Sequence, residues 1–378
     1  MDAPRRLLTA LAAAALAAVP AASARELERP LAGEVFFGSV RAVAPVGAMR
    51  ATLFVGDRRV GARAVAGGSV TFSLHHPPGS YDLRVRWEGA GRLVRRDEAR
   101  GVWLLPRSAQ GAARERSWDA ELSGRLGGLG RSFSGYAAFW VHDLSTGTTA
   151  GWNSDASFPA ASLVKLGVLF AALERFGPRP ERSAAWRDIR DLAVWSSNHA
   201  SNTLLVRLGG SEARGARVAQ AALWRAGATA STFTGNYRLG TSVGAAPLGD
   251  APAPLPFLTY RRTTAHDVGR LLFELHAAAL GNRLALRRTG LSLHTARLGL
   301  SLLLGSDPRG LNLGVLHPAL GPSVPMARKE GWTTSLRHSA AIVYGPSGPR
   351  IVVVLTYRTG LDPAESAALA RRLVALLR

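Results

Sequence analysis

Between residues 25 and about 107, apolar and polar positions alternate with a period of two. Tyr81, Leu83, Val85 and Trp87 fall on one face of an extended segment, and Asp82, Arg84 and Arg86 on the other. This is the pattern of a half-buried strand. Arg50–Val55 and Arg58–Val65 flank Gly56-Asp57, a hairpin signal, and Pro77-Pro78-Gly79 joins Val70–Leu74 to the strand after it. Short strands broken by turn residues predict a small β-sandwich, Ig-like in kind. Residues 108–117 are small and polar and read as a linker.

From Trp118 the periodicity changes. A helix is expected from Trp118 to Leu126, then strands at Tyr136–Asp143 and Thr148–Trp152 around Ser145-Thr146-Gly147. Helical patterning dominates from Ser162 to about Gly305. Strands return at Ser339–Tyr344 and Arg350–Tyr357, separated by Gly345-Pro346-Ser347-Gly348-Pro349. The last helix, Asp362 to Leu377, carries its own start signal: Asp362 as N-cap, Pro363 at N1 and Glu365 at N3. Strands at both ends with helices between them give an α/β chain of the α+β kind. One antiparallel sheet is completed by the two ends, with a helical subdomain between and a cleft where the two meet.

The first residues add a location. Arg5 and Arg6, an Ala/Leu-rich run from Leu7 to Ala21 and Ala22-Ser23-Ala24 have the form of a secretory signal cut after Ala24. The expected organisation is therefore a signal peptide over 1–24, the β-sandwich over 25–107, the linker, and a second domain over 118–378. The mature protein is expected to be secreted or periplasmic, without a membrane span, and to act as a monomer.

Composition narrows the function. With 47% hydrophobic and 19% charged residues the chain reads as globular. A net charge of +21 would suit nucleic acid, but the arginines are dispersed, without blocks of like charge, so no nucleic-acid partner is expected. The absence of cysteine excludes disulfides and thiolate metal sites. Nine scattered histidines without an HExxH pair give no reason to expect a metal or cofactor.

Of 47 basic residues only two, Lys165 and Lys329, are lysines; the remaining 45 are arginines. A lysine amine can be desolvated and deprotonated, whereas a guanidinium stays charged. Two lysines kept in an arginine background point to chemistry that arginine cannot perform. Lys165 lies three residues after Ser162, one helical turn away on the same face, at the start of an apolar stretch from Leu163 to Phe176. A serine hydroxyl needs a nearby base to become a nucleophile, and a desolvated lysine beside a second cation can be that base. Ser196-Ser197-Asn198 offers a hydroxyl for proton relay and an amide for a substrate carbonyl. Lys329-Glu330-Gly331-Trp332-Thr333 places a cation beside a glycine that allows close approach to a ligand.

In order and spacing these three elements resemble the SxxK, SDN and KTG signature of class A β-lactamases and penicillin-binding proteins, class A most closely, over roughly residues 118–378. Phe-Pro-Ala-Ala-Ser-Leu-Val-Lys before a buried helix and Ser-Ser-Asn-His-Ala-Ser-Asn-Thr-Leu-Leu resemble the family's text, as does Thr263-Thr264 with the helix after it. The resemblance implies the β-lactamase/transpeptidase fold. It implies Ser162 as acylated nucleophile, Lys165 as proton acceptor or relay, Ser196 as proton shuttle, Asn198 as amide binder and Lys329 as carboxylate anchor. The amides of Ser162 and Trp332 would form the oxyanion hole. The implied partner is a small β-lactam or a peptidoglycan-like amide or ester.

The departures from the signature are specific. Ser197 stands for the family's aspartate, and Glu330 for a hydroxyl residue that Thr333 could replace. Arg337 or His338 would supply the cation for the substrate carboxylate, with His338 taken as the binder. No counterpart of the deacylating omega-loop glutamate is evident: between Thr229 and Thr264 the only acid is Asp250, and Glu212 comes too early. Two alternatives stand beside a β-lactamase: a slowly deacylating D,D-peptidase-like or esterase-like hydrolase, and a non-catalytic envelope-binding protein.

Overall fold

A computed structural model describes residues 34–237, 261–306 and 314–377. The segment expected to be a signal peptide, residues 1–24, and Asp250 lie outside the described residues.

Residues 35–105 form two sheets. Strands β1 (Val35–Phe37), β3 (Arg50–Val55), β4 (Arg58–Ala64), β6 (Gly79–Gly89) and β7 (Arg92–Leu105) are ordered β1-β7-β6-β3-β4, and β2 (Ser39–Val43) pairs with β5 (Ser69–Ser73). The alternation read from the sequence is the packing: Leu83, Val85 and Trp87 are buried against Val40, Ala42, Val70 and Phe72. Tyr81 is only half-buried, because the β6–β7 register shifts between Tyr81 and Leu83. Gly56, at φ 57°, makes the β3–β4 turn where a side chain would be strained.

Residues 108–117 are not free chain. After a 3₁₀ turn at Arg107–Gln110, Ala113 N–H donates to Leu144 O (2.7 Å) and Arg116 N–H to Gly147 O (2.9 Å). His276 and His142 contact the carbonyls of Gly111 and Ala113, both at 2.8 Å. Small residues are here for close packing rather than freedom; a Cβ on Gly111 would stand 2.8 Å from Leu144 O.

The second part is built on a six-stranded sheet: β8 (Ser117–Trp118), β9 (Tyr136–Asp143), β10 (Thr148–Trp152), β13 (Met326–Thr333), β14 (Leu336–Gly345) and β15 (Gly348–Tyr357), in the order β13-β14-β15-β9-β10-β8. All neighbours are antiparallel except β8 and β10. A two-stranded pair, β11 (Phe158–Pro159) and β12 (Arg262–Thr263), lies beside it. Helices α1 (Ala120–Arg131), α9 (Leu316–Leu320) and α10 (Pro363–Leu376) pack on one face. Helix α1 starts later than the sequence pattern suggested, because Asp119 caps it by accepting from Leu122 N–H (2.8 Å), leaving Trp118 in β8. Asp362 caps α10 as expected, accepting from Ala364 N–H at 2.8 Å.

The helical layer contains α2 (Lys165–Arg175), α3 (Trp186–Val194), α4 (Asn198–Gly209), α5 (Glu212–Arg225), α6 (Ala265–Ala279), α7 (Arg283–Thr289) and α8 (Leu293–Leu304). Helix α2 is buried on every side from Lys165 to Leu173, as its apolar sequence requires. The order and arrangement are those of the β-lactamase/transpeptidase fold, preceded by the two β-sheets.

Candidate active site

The site lies where β13, an edge strand, meets the start of α2 and the start of α4. Ser162 is half-buried in a tight turn that leads into α2, in which Leu163 N–H donates to Ala160 O (3.0 Å) and Lys165 N–H to Ser162 O (3.2 Å). Ala161, just before it, has φ 46°, a left-handed conformation that a non-glycine residue adopts at a cost. Strand β13 approaches this turn through Gly331: a Cβ there would stand 3.1 Å from Ala161 Cβ and 3.3 Å from both Ala160 O and Ser162 N. Glycine thus lets the strand pass the amide of Ser162 without pushing its neighbours aside.

Lys165 opens α2 and is fully buried. Its Nζ donates to Ser196 O (2.5 Å) and to Asn198 Oδ1 (2.7 Å). Lys329, also fully buried, donates to Ser196 Oγ (2.6 Å) and to Glu330 O (3.0 Å). Ser196 is therefore held from both sides, its carbonyl by one lysine and its hydroxyl by the other, in a left-handed conformation at φ 57°. Ser197 fills the role of a helix cap, accepting from Ala200 N–H at 3.1 Å; a serine serves there as well as an aspartate would.

Burial depresses both amines. Lys165 is pushed well below the ordinary lysine range by desolvation first, then by the charges of Lys329 and Arg261. Lys329 is brought down to about 7 by desolvation, with Glu330 opposing and Arg328 assisting. An uncharged lysine has two N–H bonds and a lone pair. In that form Lys165 would spend both hydrogens on its two acceptors and keep the lone pair.

Glu330 is not in the cleft. Neighbouring residues of a strand point to opposite faces, and Glu330 shares the face of Met326 and α9. Its Oε2 accepts from Ser339 Oγ (2.5 Å), its Oε1 is buried without a partner, and Gly314 packs against the carboxylate. Ser339 in turn accepts from Val315 N–H (2.7 Å). Burial pushes the Glu330 carboxyl up to about 7, against the pull of Arg328, Ser339 and Lys329.

His338 also differs from expectation. It pairs across the sheet with Gly331 and is covered by the Phe158–Pro159 strand. Nε2 donates to Pro159 O (2.9 Å) and Nδ1 accepts from Thr356 N–H (3.2 Å). With burial pushing it down to about 4, the ring is neutral and has no nitrogen left for a substrate. Arg337 is half-buried and lies over the partly exposed Trp332 ring at 5.3 Å, while Thr333 Oγ1 accepts from Ser335 N–H (3.1 Å) in the adjoining turn.

Tyr237 and Arg261 belong to the site, although no motif announces them. The Tyr237 ring lies 4.4 Å from Lys165 Nζ and 3.8 Å from the Arg261 guanidinium carbon, and its hydroxyl donates to Ala161 O (3.1 Å). Asn202 clamps its backbone in both directions, at 2.7 and 2.8 Å. Glu212 faces Asn236, whose amide it binds at 2.5 Å, one residue before Tyr237. Among the described residues no carboxylate hydrogen-bonds Lys165, Lys329, Ser196 or Asn198, and no group of three or more acidic or histidine side chains could hold a metal ion. Nor is any described helix long and apolar enough to cross a membrane.

Comparisons with known proteins bear on the fold and the family. No curated protein matches the chain. Among solved structures, PBP-A superposes with a TM-score of 0.52 at 19% identity, covering 70% of this chain and 97% of its own; a mutant of it is known as an acyl-enzyme complex with penicillin G. A variant of a reconstructed ancestral class A β-lactamase of Gram-negative bacteria gives 0.52 at 21% identity, covering 68% and 98%. A β-lactamase from Streptosporangium roseum gives 0.51 at 19%, covering 68% and 99%. At these identities the likeness is one of fold. The model of the Beta-lactamase enzyme family matches residues 121–180 and 177–377, more than half of the sequence; the chain belongs to that family.

Proposed function

We propose that this protein is a serine hydrolase of the secreted or periplasmic compartment that opens β-lactam-type amides through an acyl-enzyme on Ser162. The observation that carries the reading is the clamp on Ser196: Lys329 on its hydroxyl at 2.6 Å and Lys165 on its carbonyl at 2.5 Å. A scaffold that only bound a ligand would have no use for two buried lysines joined through one serine.

In this reading Lys165 Nζ takes the Ser162 hydroxyl proton as Oγ attacks the amide carbon. The developing oxyanion is met by the N–H groups of Ser162 and Trp332. As the C–N bond breaks, the leaving nitrogen takes the Ser196 hydroxyl proton and Lys329 Nζ, bonded to that hydroxyl, supplies another, so that the charge Lys165 gained from Ser162 balances the charge Lys329 gives up. Asn198 and Lys329 hold the substrate amide and carboxylate. Water must then cleave the ester, and this step lacks a carboxylate among the described residues: Glu212 is turned to Asn236, and beside Lys165 stands Tyr237, a neutral phenol whose acidity burial suppresses. Asp250, the acid the sequence offers for this step, lies outside the described residues, so the slowly deacylating alternative, a penicillin-binding D,D-peptidase-like or esterase-like hydrolase, stands beside a β-lactamase and is decided by the kinetics below.

The test combines intact mass spectrometry with pre-steady-state kinetics on a chromogenic cephalosporin. The slowly deacylating form expects a stoichiometric burst, a persistent adduct, and loss of that adduct in Ser162→Ala. An adduct retained on the alanine variant refutes Ser162 as nucleophile. Full turnover without a burst refutes slow deacylation.

A further inference from the structure

We propose that Tyr237 and Arg261 are positioning residues for acylation: the ring and hydroxyl of Tyr237 brace Lys165 and the Ala161 peptide, and Arg261 sets a fixed positive charge beside the lysine amine. The proposal rests on the reading of Lys165 as the proton acceptor for Ser162.

Three observations carry it. First, one ring touches both cations, Lys165 at 4.4 Å and Arg261 at 3.8 Å. An aromatic face attracts a cation, so Tyr237 alone would favour the charged amine. A guanidinium on the same ring competes for that attraction and repels the ammonium. Second, the Tyr237 hydroxyl donates to Ala161 O at 3.1 Å, pinning a left-handed residue one position before the nucleophile. Third, the arrangement is rigid. Arg261 donates to Asn236 O (2.7 Å) and reaches Thr234 O (3.4 Å), while Asn202 holds Tyr237 at both backbone ends.

Other charges near Lys165 come from separate elements. Lys329 on β13 shares Ser196 with it, Glu330 and Arg328 act on Lys329 from the far face of that strand, and Glu212 on α5 binds Asn236. His338, held neutral, contributes no charge. Desolvation and the charge of Lys329 depress Lys165 most, and Arg261, on the same ring as Lys165, is the further charge that opposes protonation of the amine.

Because the chain has only two lysines, the amine can be watched directly. Protein labelled with ¹³C-lysine gives two Cε signals, assigned with Lys329→Arg, whose pH titrations report each amine apart from any activity. Arg261→Met should move the Lys165 midpoint upward by on the order of one pH unit, and Arg261→Lys should return it. Acylation by a fluorescent penicillin should follow, falling by up to about tenfold at pH values below the wild-type midpoint in Arg261→Met and recovering at higher pH. Tyr237→Phe should leave the midpoint in place and slow acylation evenly at all pH.

An unmoved Lys165 midpoint in Arg261→Met overturns the role of Arg261, and so does an even loss of rate at every pH. Unchanged acylation in Tyr237→Phe overturns the role of the hydroxyl. If the wild type is never acylated but the midpoint still moves, the acyl-enzyme reading fails and the charge effect of Arg261 stands.

Discussion

Glu330 sits between Lys329 and Gly331, and its substitution by glutamine tests whether a carboxyl can be neutral in the middle of the signature strand. The side chain is buried on the far face of the sheet, with one oxygen on Ser339 and the other unpartnered. Its pKa is raised from the ordinary 4.5 to about 7, chiefly by desolvation. A raised acid contributes stability that is fully present below the unfolded value and is lost as pH rises through the folded one. The window is thus pH 4.5 to about 7. At about 1.4 kcal/mol per pH unit, ionisation costs the wild type at most about 3 kcal/mol by the top of that window. Glutamine matches the shape and never ionises. Glu330→Gln should therefore equal wild type within about 1 kcal/mol near pH 5 and exceed it by roughly 1–3 kcal/mol near pH 8.5. Lys329 titrates with the opposite sign above about 7, but both proteins carry it. Urea unfolding followed by tryptophan fluorescence at the two pH values gives the comparison. A gap that stays constant, or a variant weaker at high pH, would mean that Arg328 holds Glu330 ionised and that desolvation does not dominate.

Two further substitutions bear on the chemistry. Lys165→Arg keeps the charge but removes a group able to lose its proton, so acylation by a fluorescent penicillin should fall by about 10²–10⁴-fold; a rate within a few-fold of wild type would make Lys165 purely electrostatic. Gly331→Ala brings a methyl to 3.1 Å from Ala161 Cβ and 3.3 Å from Ser162 N, so acylation should drop at least tenfold for a stability loss of about 1–3 kcal/mol, read by gel labelling and thermal melts. Unaltered labelling in that variant would show that β13 does not need to pass so close to the nucleophile.

Much of this arrangement was legible because it is local. Strands β9 and β10 run over the residues the alternation gave, and Asp362-Pro363 starts α10 because capping chemistry acts within one turn. The three motifs announced Ser162, Lys165, Ser196, Asn198 and Lys329, and four of these are joined by direct hydrogen bonds. Glu330 was read differently, as standing where a substrate-facing hydroxyl belongs, although strand alternation alone argues against that. A strand that turns Lys329 into the cleft must turn its neighbour out, so Glu330 cannot replace a hydroxyl there. His338 was not legible: its role follows from pairing with Gly331, a register that the turn at Thr333–Leu336 fixes only in the folded sheet. Tyr237 lay further out of reach. It meets Lys165 across 72 positions of sequence and has no neighbour whose spacing marks it.

The scarcity of lysine now has a physical account. Both lysines are fully buried and both touch Ser196. A guanidinium keeps its proton, so it could not offer a lone pair to Ser162, and its five donors would exceed the acceptors around Lys165. At Lys329 the demand is different. A compact ammonium reaches the Ser196 hydroxyl while its strand neighbour Glu330 packs on the other face. On the proposed mechanism each position excludes arginine for its own reason, proton exchange at Lys165 and size at Lys329. Elsewhere arginines meet carboxylates or carbonyls, as Arg225 does with Glu174 and Arg350 with Asp143, and there a fixed charge with a broad fork is the better group.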